Sequence, residues 1–286
     1  MDATLPNRRS AARHAAAAAL GILLVSGAPA LTSTSAQALD AGVIADIQPH
    51  RAIYKMSLSS ARNSSKVSGV SGRMMFEWAD ACDGWTTEQR FQLRFVYSEG
   101  EEMNMNTNYT TWEAKNGLRY RFNVLKKVNG ETDEDIRGEA VLEKAGGPGT
   151  AHFSKPEPQD MALPVGSLFP TSHTLGILQH AKAGDLFFNS MVFDGADTEG
   201  STEVNAFIGK PASTQEDLGG GLLKDKKGWP VRMAFFPFSS DSAQPEYEMS
   251  LKLLQNGIAE SMQIDYGDFT IKAILETLQP LPKSGC

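Results

Sequence analysis

Between His50 and Leu142 apolar and polar residues alternate with a period of two, and this alternation limits the possible folds more than any other feature of the chain. Tyr54, Met56 and Leu58 form one run, Met74, Phe76 and Trp78 the next, and Trp85 leads into Phe91, Leu93, Phe95 and Tyr97. Met103, Met105 and Tyr109 continue the pattern, followed by Leu118, Tyr120, Phe122 and Val124. Successive side chains of a strand point to opposite faces, so each run predicts a strand buried on one face only. Asn116-Gly117 and Asn129-Gly130 separate later runs, and both residue types accept the positive φ of a tight hairpin turn. The expectation is an all-β fold built as a long up-and-down antiparallel meander.

The segment from Ala145 to Pro170 breaks the pattern. Gly146-Gly147-Pro148-Gly149 and then Pro156, Pro158, Pro164 and Pro170 are expected to interrupt any ladder there. Beyond it, Thr171 or Ser172 can cap one main α-helix through Leu175, Ile177, Leu178 and Ala181, ending near Gly184. Short β-rich runs follow at 186–193, 204–208, 231–238, 247–254, 258–264 and 269–278, with Asn256-Gly257 as a third hairpin turn. A sheet of a dozen or more strands must curl or close, because free edges invite aggregation. Curling leaves a concave interior, which one helix can plug. Met74, Phe76, Met103, Met105, Phe187 and Phe235 are candidates to line a lipid-sized apolar cavity, methionine suiting an adaptable wall.

Residues 1–38 read as a cleaved export signal. Arg8, Arg9 and Arg13 precede an apolar run from Ala15 to Val25, and Ala36-Gln37-Ala38 is a small-x-small cleavage site. Residues 39–286 are then expected to be a single all-β exported domain, with no later apolar run suited to a membrane helix. Loss of the signal removes three of 27 basic and one of 34 acidic residues, leaving 24 against 33 and a net charge of −9. That balance disfavours nucleic acid and anionic membrane surfaces as partners. Export also bears on the only two cysteines, Cys82 and Cys286. In an oxidising compartment they are a candidate disulfide, the alternative being two buried free thiols. A bridge closing a loop this long contributes at most on the order of 5 kcal/mol through chain entropy.

Catalytic spacing is sparse. The sequence holds no Gly-x-Ser-x-Gly elbow, His-Glu-x-x-His pair, phosphate loop or Ser-x-x-Lys. His173 and His180 lie seven apart on the expected helix, too far for a close ligand pair, so neither a metal nor a cofactor is expected. A hydrolase using one of these imidazoles with Thr171 or Ser172 is the weakest reading, because those residues serve more simply as helix caps. The acidic stretches 131–135 and 194–199 miss the calcium-loop pattern and are expected to be solvated hairpin tips. A non-enzymatic protein is expected.

Several longer motifs carry a family resemblance. Cys82-Asp83-Gly84-Trp85, the block from Leu163 to Thr174, Phe193-Asp194-Gly195, Trp229-Pro230-Val231, Tyr266-Gly267-Asp268-Phe269 and the terminal Cys286 are the residues concerned. The chain resembles the EipB family of alphaproteobacterial cell-envelope integrity proteins over about His50 to Cys286. Within these motifs Gly84, Trp85, Pro164, Gly166, Phe169, Pro170, His173, Trp229 and Tyr266 are the marked structural positions. The resemblance implies a periplasmic protein whose meander winds into a spiral-like open barrel held by a Cys82–Cys286 bridge. It implies support of envelope integrity under stress and a link to a periplasmic tetratricopeptide-repeat partner. The similar architecture of lipid and lipoprotein carriers makes an acyl-chain carrier the alternative function.

Overall fold

The structure, a computed structural model, describes residues 39–214, 218–238 and 242–286. The expected export signal lies outside the described residues. After a one-turn helix α1 (Ala41–Asp46), eight strands follow in a continuous antiparallel meander. They are β1 (His50–Ala61), β2 (Val67–Asp80), β3 (Gly84–Tyr97), β4 (Glu102–Ala114), β5 (Arg119–Val128), β6 (Glu131–Leu142), β7 (Gly149–Lys155) and β8 (Gln159–Leu163). A two-residue strand β9 (Ser167–Leu168) then leads into α2 (Pro170–Ala183). The sheet resumes with β10 (Phe187–Val192), β11 (Thr202–Ile208), β12 (Ala212–Ser213), β13 (Lys227–Pro237), β14 (Tyr247–Leu254), β15 (Ala259–Asp265) and β16 (Phe269–Pro280).

All sixteen strands belong to one sheet, whose path runs from β8 back to β1, across to β16, and back again to β9, with β12 hanging on β13. The step from β1 to β16 is an antiparallel ladder from His50↔Pro280 to Ala61↔Phe269, joining residues more than two hundred positions apart. The result is a nearly closed barrel with one seam, between the end strands β8 and β9.

Alternation does what the pattern predicts. On β1, His50, Ala52, Tyr54 and Met56 are buried while the residues between them are more exposed. At Asn129-Gly130 both residues take positive φ, 52° and 89°, and the β5–β6 hairpin turns there.

The barrel is filled by three apolar clusters. One surrounds α2, where Leu175, Ile177, Leu178 and Ala181 meet Trp78, Trp85, Val204, Trp229 and Val231. A second joins β1, β2, β3 and β16 through Tyr54, Met56, Met74, Leu93, Phe95, Ile271 and Leu275. The third, with Tyr120, Phe122, Ile136, Phe153, Phe169 and Phe193, lies under β5 to β8. In α2 the run Thr171, Ser172, His173, Leu175, Gly176, Ile177 and Leu178 is buried, which covers every side of a 3.6-residue turn. This helix is a plug, not a surface decoration.

Two expectations need correction. The proline-rich segment does not interrupt the sheet: Pro148 precedes β7, Pro156 and Pro158 sit in the β7–β8 turn, and Pro164 follows β8. Each proline falls where no ladder N–H is required. Thr171 and Ser172 do not cap α2, since the N-cap is Phe169 with no side-chain hydrogen bond and Pro170 opens the first turn. The expected antiparallel meander is present, and the one parallel pair among the described residues, β9 with β10, lies beyond it, on either side of α2.

Candidate functional site at the barrel seam

The block from Leu163 to Thr174 closes the seam. Leu163 is buried at the end of β8, Gly166 takes φ 91° in the turn, and Ser167 Oγ donates to the Pro164 carbonyl at 2.7 Å. The chain then drops inward. Phe169 is fully buried and its ring stacks on Tyr120, with centroids 4.9 Å apart and planes 12° apart. Burying a side chain of this size stabilises by about 1.5–3 kcal/mol.

The start of α2 needs acceptors for its free N–H groups, and its own sequence supplies none. Glu113, on the inward face of β4, provides them from across the barrel. Its carboxylate accepts the N–H of Thr171 and of Ser172, each at 2.8 Å, and also the Ser172 hydroxyl. Burial pushes its pKa up to about 7, and the hydrogen bonds from Ser172 and Thr171 hold it from rising further. The Glu113 carboxyl supplies the acceptors that the first turn of α2 lacks, so β4 and α2 are tied by hydrogen bonds as well as by packing.

Two residues back on the same face is Thr111, whose hydroxyl meets that of Thr87 at 2.7 Å, and two further back is Tyr109. The Tyr109 and Tyr120 hydroxyls are 2.6 Å apart, and both donate to the Asp194 carbonyl. Gly195 follows at φ 67°, and a Cβ there would lie 2.5 Å from the Phe122 ring. The 194–199 stretch is therefore not a solvated hairpin tip at its start: Asp194-Gly195 is pressed onto the third cluster, and burial raises the Asp194 carboxyl to about 6. Only Asp197 to Glu199 reach solvent. The 131–135 stretch does sit at a hairpin, with Asp133 and Glu134 both paired to Lys126.

His173 and His180 share a helix face as expected, and the object between them is Phe188. Its ring stacks on both imidazoles, at 5.7 and 4.6 Å, in a notch opened by Gly176, where a Cβ would lie 2.8 Å from the ring. Burial lowers the His173 pKa to about 4, and its Nε2 has no hydrogen-bond partner among the described residues. His180 Nδ1 lies 2.8 Å from Asp185 Oδ2. The Ser172 hydroxyl goes to Glu113, so the hydroxyl–imidazole pairing needed by a hydrolase does not form here.

Cys82 and Cys286 form a disulfide, their Cα atoms 5.8 Å apart. Its anchor is the β2–β3 turn and not a strand. The tail is held along its length: Leu281 N–H donates to the Pro49 carbonyl, Lys283 Nζ to the Ala45 carbonyl, and Ser284 N–H to Asp80. Trp85 carries Lys115 Nζ 3.2 Å above its ring, and Gly84 leaves room for Trp112, whose Nε1 would lie 2.4 Å from a Cβ. Trp229 is buried beside α2, whereas Tyr266 is partly exposed and stacks on Phe269.

The proposed cavity residues are not gathered at one place. Met74 is buried in the second cluster, Met103 and Met105 flank it half-buried, and Phe76 bridges the first two clusters. Phe235 stacks on Tyr247 at 4.3 Å. Phe187 points outward, 66% exposed, against Phe207. Sequence reasoning missed Glu113, Tyr109, Tyr120 and Asp194 as a group. A carboxylate at position 113, in phase with Met103, Met105 and Tyr109 on the buried face, was the available signal.

These features define a class: barrel-like proteins in which a helix plugs a curled sheet, a buried carboxylate ties the plug to the wall, and a disulfide pins the C-terminus. A family profile described as EipB-like matches residues 41–282, and the chain belongs to that family. It is 33% identical over 248 residues to the cell envelope integrity protein EipB of Brucella abortus (strain 2308), covering 83% of this chain and 87% of the relative. A crystal structure of a beta-barrel-like protein of domain of unknown function DUF1849 from Brucella abortus matches with a TM-score of 0.77 and 31% identity. That match covers 82% of this chain and 99% of the solved one. Among the described residues no helix is long and apolar enough to cross a membrane.

Proposed function

We propose that this protein works in the periplasm as a non-enzymatic factor that maintains cell-envelope integrity by binding another envelope protein. The observation that carries the reading is the 33% identical relative named for envelope integrity, matched over most of both chains. The filled interior supports binding at the outer surface. Leu186, just before β10, with Phe187 and Phe207 on β10 and β11, forms an exposed apolar strip beside the seam, and large apolar side chains exposed together mark interaction surfaces. A tetratricopeptide-repeat protein of the periplasm is the partner class that the family suggests. Complementation of a deletion strain tests the reading. Wild-type protein is expected to restore resistance to detergent and cell-wall antibiotics, and a stable Phe187→Ser/Phe207→Ser double variant to fail. A deletion strain with unaltered sensitivity would overturn the integrity role.

The second reading is a carrier holding an acyl chain. Half-buried Met103, Met105 and Phe269, bordering the second cluster, favour it. Native mass spectrometry of protein purified from its own envelope without detergent separates the two, because a carrier retains a dissociable lipid mass.

A further inference from the structure

Outside the barrel, β4 to β7 carry a groove of about 660 Å³ that neither the seam nor the apolar strip uses. Two cross-strand rows build it. In the first, register places Trp112 opposite Arg121, Arg121 opposite Glu139, and Glu139 opposite His152. In the second, Asn123 lies opposite Arg137. A bulge between Arg137 and Gly138 leaves Ser154 as the extra residue of β7, its hydroxyl on the Arg137 carbonyl at 3.2 Å. Bulges bend the strand that carries them, and Gly138 allows a tight approach, since a Cβ would lie 2.4 Å from the Phe122 ring. The outer wall of a barrel is concave here for a structural reason.

His152 is paired with Asp160, its Nδ1 2.7 Å from Oδ1, but the two arginines of the groove are held without a carboxylate partner. The Arg121 guanidinium rests 5.1 Å from the Trp112 ring centre, and among the described residues its N–H fork forms no ion pair. Arg137 Nε donates to Asn123 Oδ1 at 3.1 Å. Other surface arginines are paired with carboxylates, as in Arg51–Glu77, Arg94–Glu102 and Arg232–Glu248, although Arg62 and Arg119 also form no ion pair among the described residues. Among the described residues Arg121, Arg137 and Glu139 form no ion pair, although Arg121 and Glu139 are direct cross-strand neighbours. Two guanidinium forks without a carboxylate partner favour an anionic group at this spot, against the chain's overall net charge of −7. Glu139 adds acceptors and the Asn123 amide nitrogen adds donors for hydroxyls, and the edge of the Trp112–Arg121 stack offers a flat apolar surface. Hydroxyls, an anion and a flat ring together describe a sugar acid or sugar phosphate.

We infer that the groove on β4–β7 binds an acidic saccharide, its carboxylate or phosphate held by Arg121 and Arg137 and its hydroxyls by Glu139 and Asn123. Wall glycans carrying carboxylates and lipid headgroup sugars carrying phosphates share this chemistry. The inference is independent of the partner-binding reading, because its readout is direct binding to purified protein.

The test titrates the protein with tetragalacturonic acid, with a phosphorylated glucosamine disaccharide, with neutral maltotetraose and with inorganic phosphate. Calorimetry and tryptophan fluorescence report binding. At least one acidic saccharide is expected to bind, with both controls about tenfold weaker or more, since a charge-assisted hydrogen-bond pair accounts for such a ratio. The preferred acidic probe identifies the source, carboxylate for wall glycan and phosphate for lipid headgroup. Arg121→Ala and Arg137→Ala are each expected to weaken binding about tenfold, and Arg121→Lys not to restore it, because a point charge lacks the planar fork. Trp112→Phe should abolish the fluorescence change while calorimetric binding persists. All these side chains lie on the outer face, and circular dichroism checks that the variants remain folded. Absence of binding to both acidic saccharides, equal binding of phosphate alone or of maltotetraose, or unaltered affinity in both arginine variants would overturn the assignment.

Discussion

The barrel is closed twice, and by different physics. At the suture, β1 and β16 are joined by a backbone ladder running nearly the whole length of both strands. At the seam, β8 and β9 end the path, and closure is left to side chains: Phe169 on Tyr120, Glu113 on the first turn of α2, and the two tyrosine hydroxyls on the Asp194 carbonyl. A ladder of backbone hydrogen bonds has no titrating members and tolerates the loss of any one side chain. A closure made of a few buried groups concentrates stability in those groups and exposes it to protonation.

The largest expected effect falls on the seam. Phe169→Ala removes a fully buried ring from the stack with Tyr120 and should cost about 3–5 kcal/mol in urea unfolding. Leu58→Ala on the suture, a partly buried position within the ladder, should cost clearly less. Comparable losses at the two positions would break the contrast. Next is the disulfide, which guards the suture by pinning the tail that follows β16. Its 204-residue separation argues for a loss of about 2–4 kcal/mol in Cys286→Ser, measured against the oxidised wild type.

The pH response sharpens the comparison further. Folding raises Glu113 to about 7 from an ordinary 4.5 and Asp194 to about 6 from 3.8, in both cases by burial first. Both bind their protons more tightly in the folded state, so the stability they contribute is complete below the unfolded values. It is lost as pH rises through 6 to 7. His173, lowered to about 4 from 6.5, acts oppositely: its contribution is complete above 6.5 and lost as pH falls toward 4. The suture's own buried imidazole, His50, shifts down for the same reason. Glu113→Gln should therefore flatten the decline in melting temperature between pH 5 and pH 8, and an undiminished decline would remove Glu113 from the seam's titration. The smallest effect belongs to the surface pair Arg73–Glu276, which bridges β2 and β16 over the suture at 3.3 Å. Exposed as it is, Arg73→Ala should change stability by less than about 1 kcal/mol, read from the same urea curves.

Much of this was legible before folding. The odd-numbered face of β4 and the even-numbered face of β5 were visible in the alternation, as were the three Asn-Gly turns and the helix ending at Gly184. The two thiols were a candidate pair because of the export signal. The proline-rich segment was misread because prolines were counted without asking which side of each strand needed an N–H. Thr171 and Ser172 were misplaced as caps because a local rule was applied where the acceptor comes from residue 113, 58 positions away from Thr171. The groove at Arg121 and Arg137 had no sequence signal, since polar residues on the outer face of a strand look alike until a bulge brings them into one hollow.

What the sequence alone determined is local: which residues face inward, where hairpins turn, which segment is helical, and that two cysteines are available. These follow from the two-residue repeat of a strand and the conformational freedom of Asn-Gly, which need no distant partner. Only the tertiary structure decided that β1 meets β16, that β8 and β9 stay apart, and that Glu113 supplies the acceptors α2 lacks. Such contacts are chosen by burial and hydrogen-bond satisfaction summed over the whole barrel, and a carboxylate's partner is unknown until the chain has closed around it.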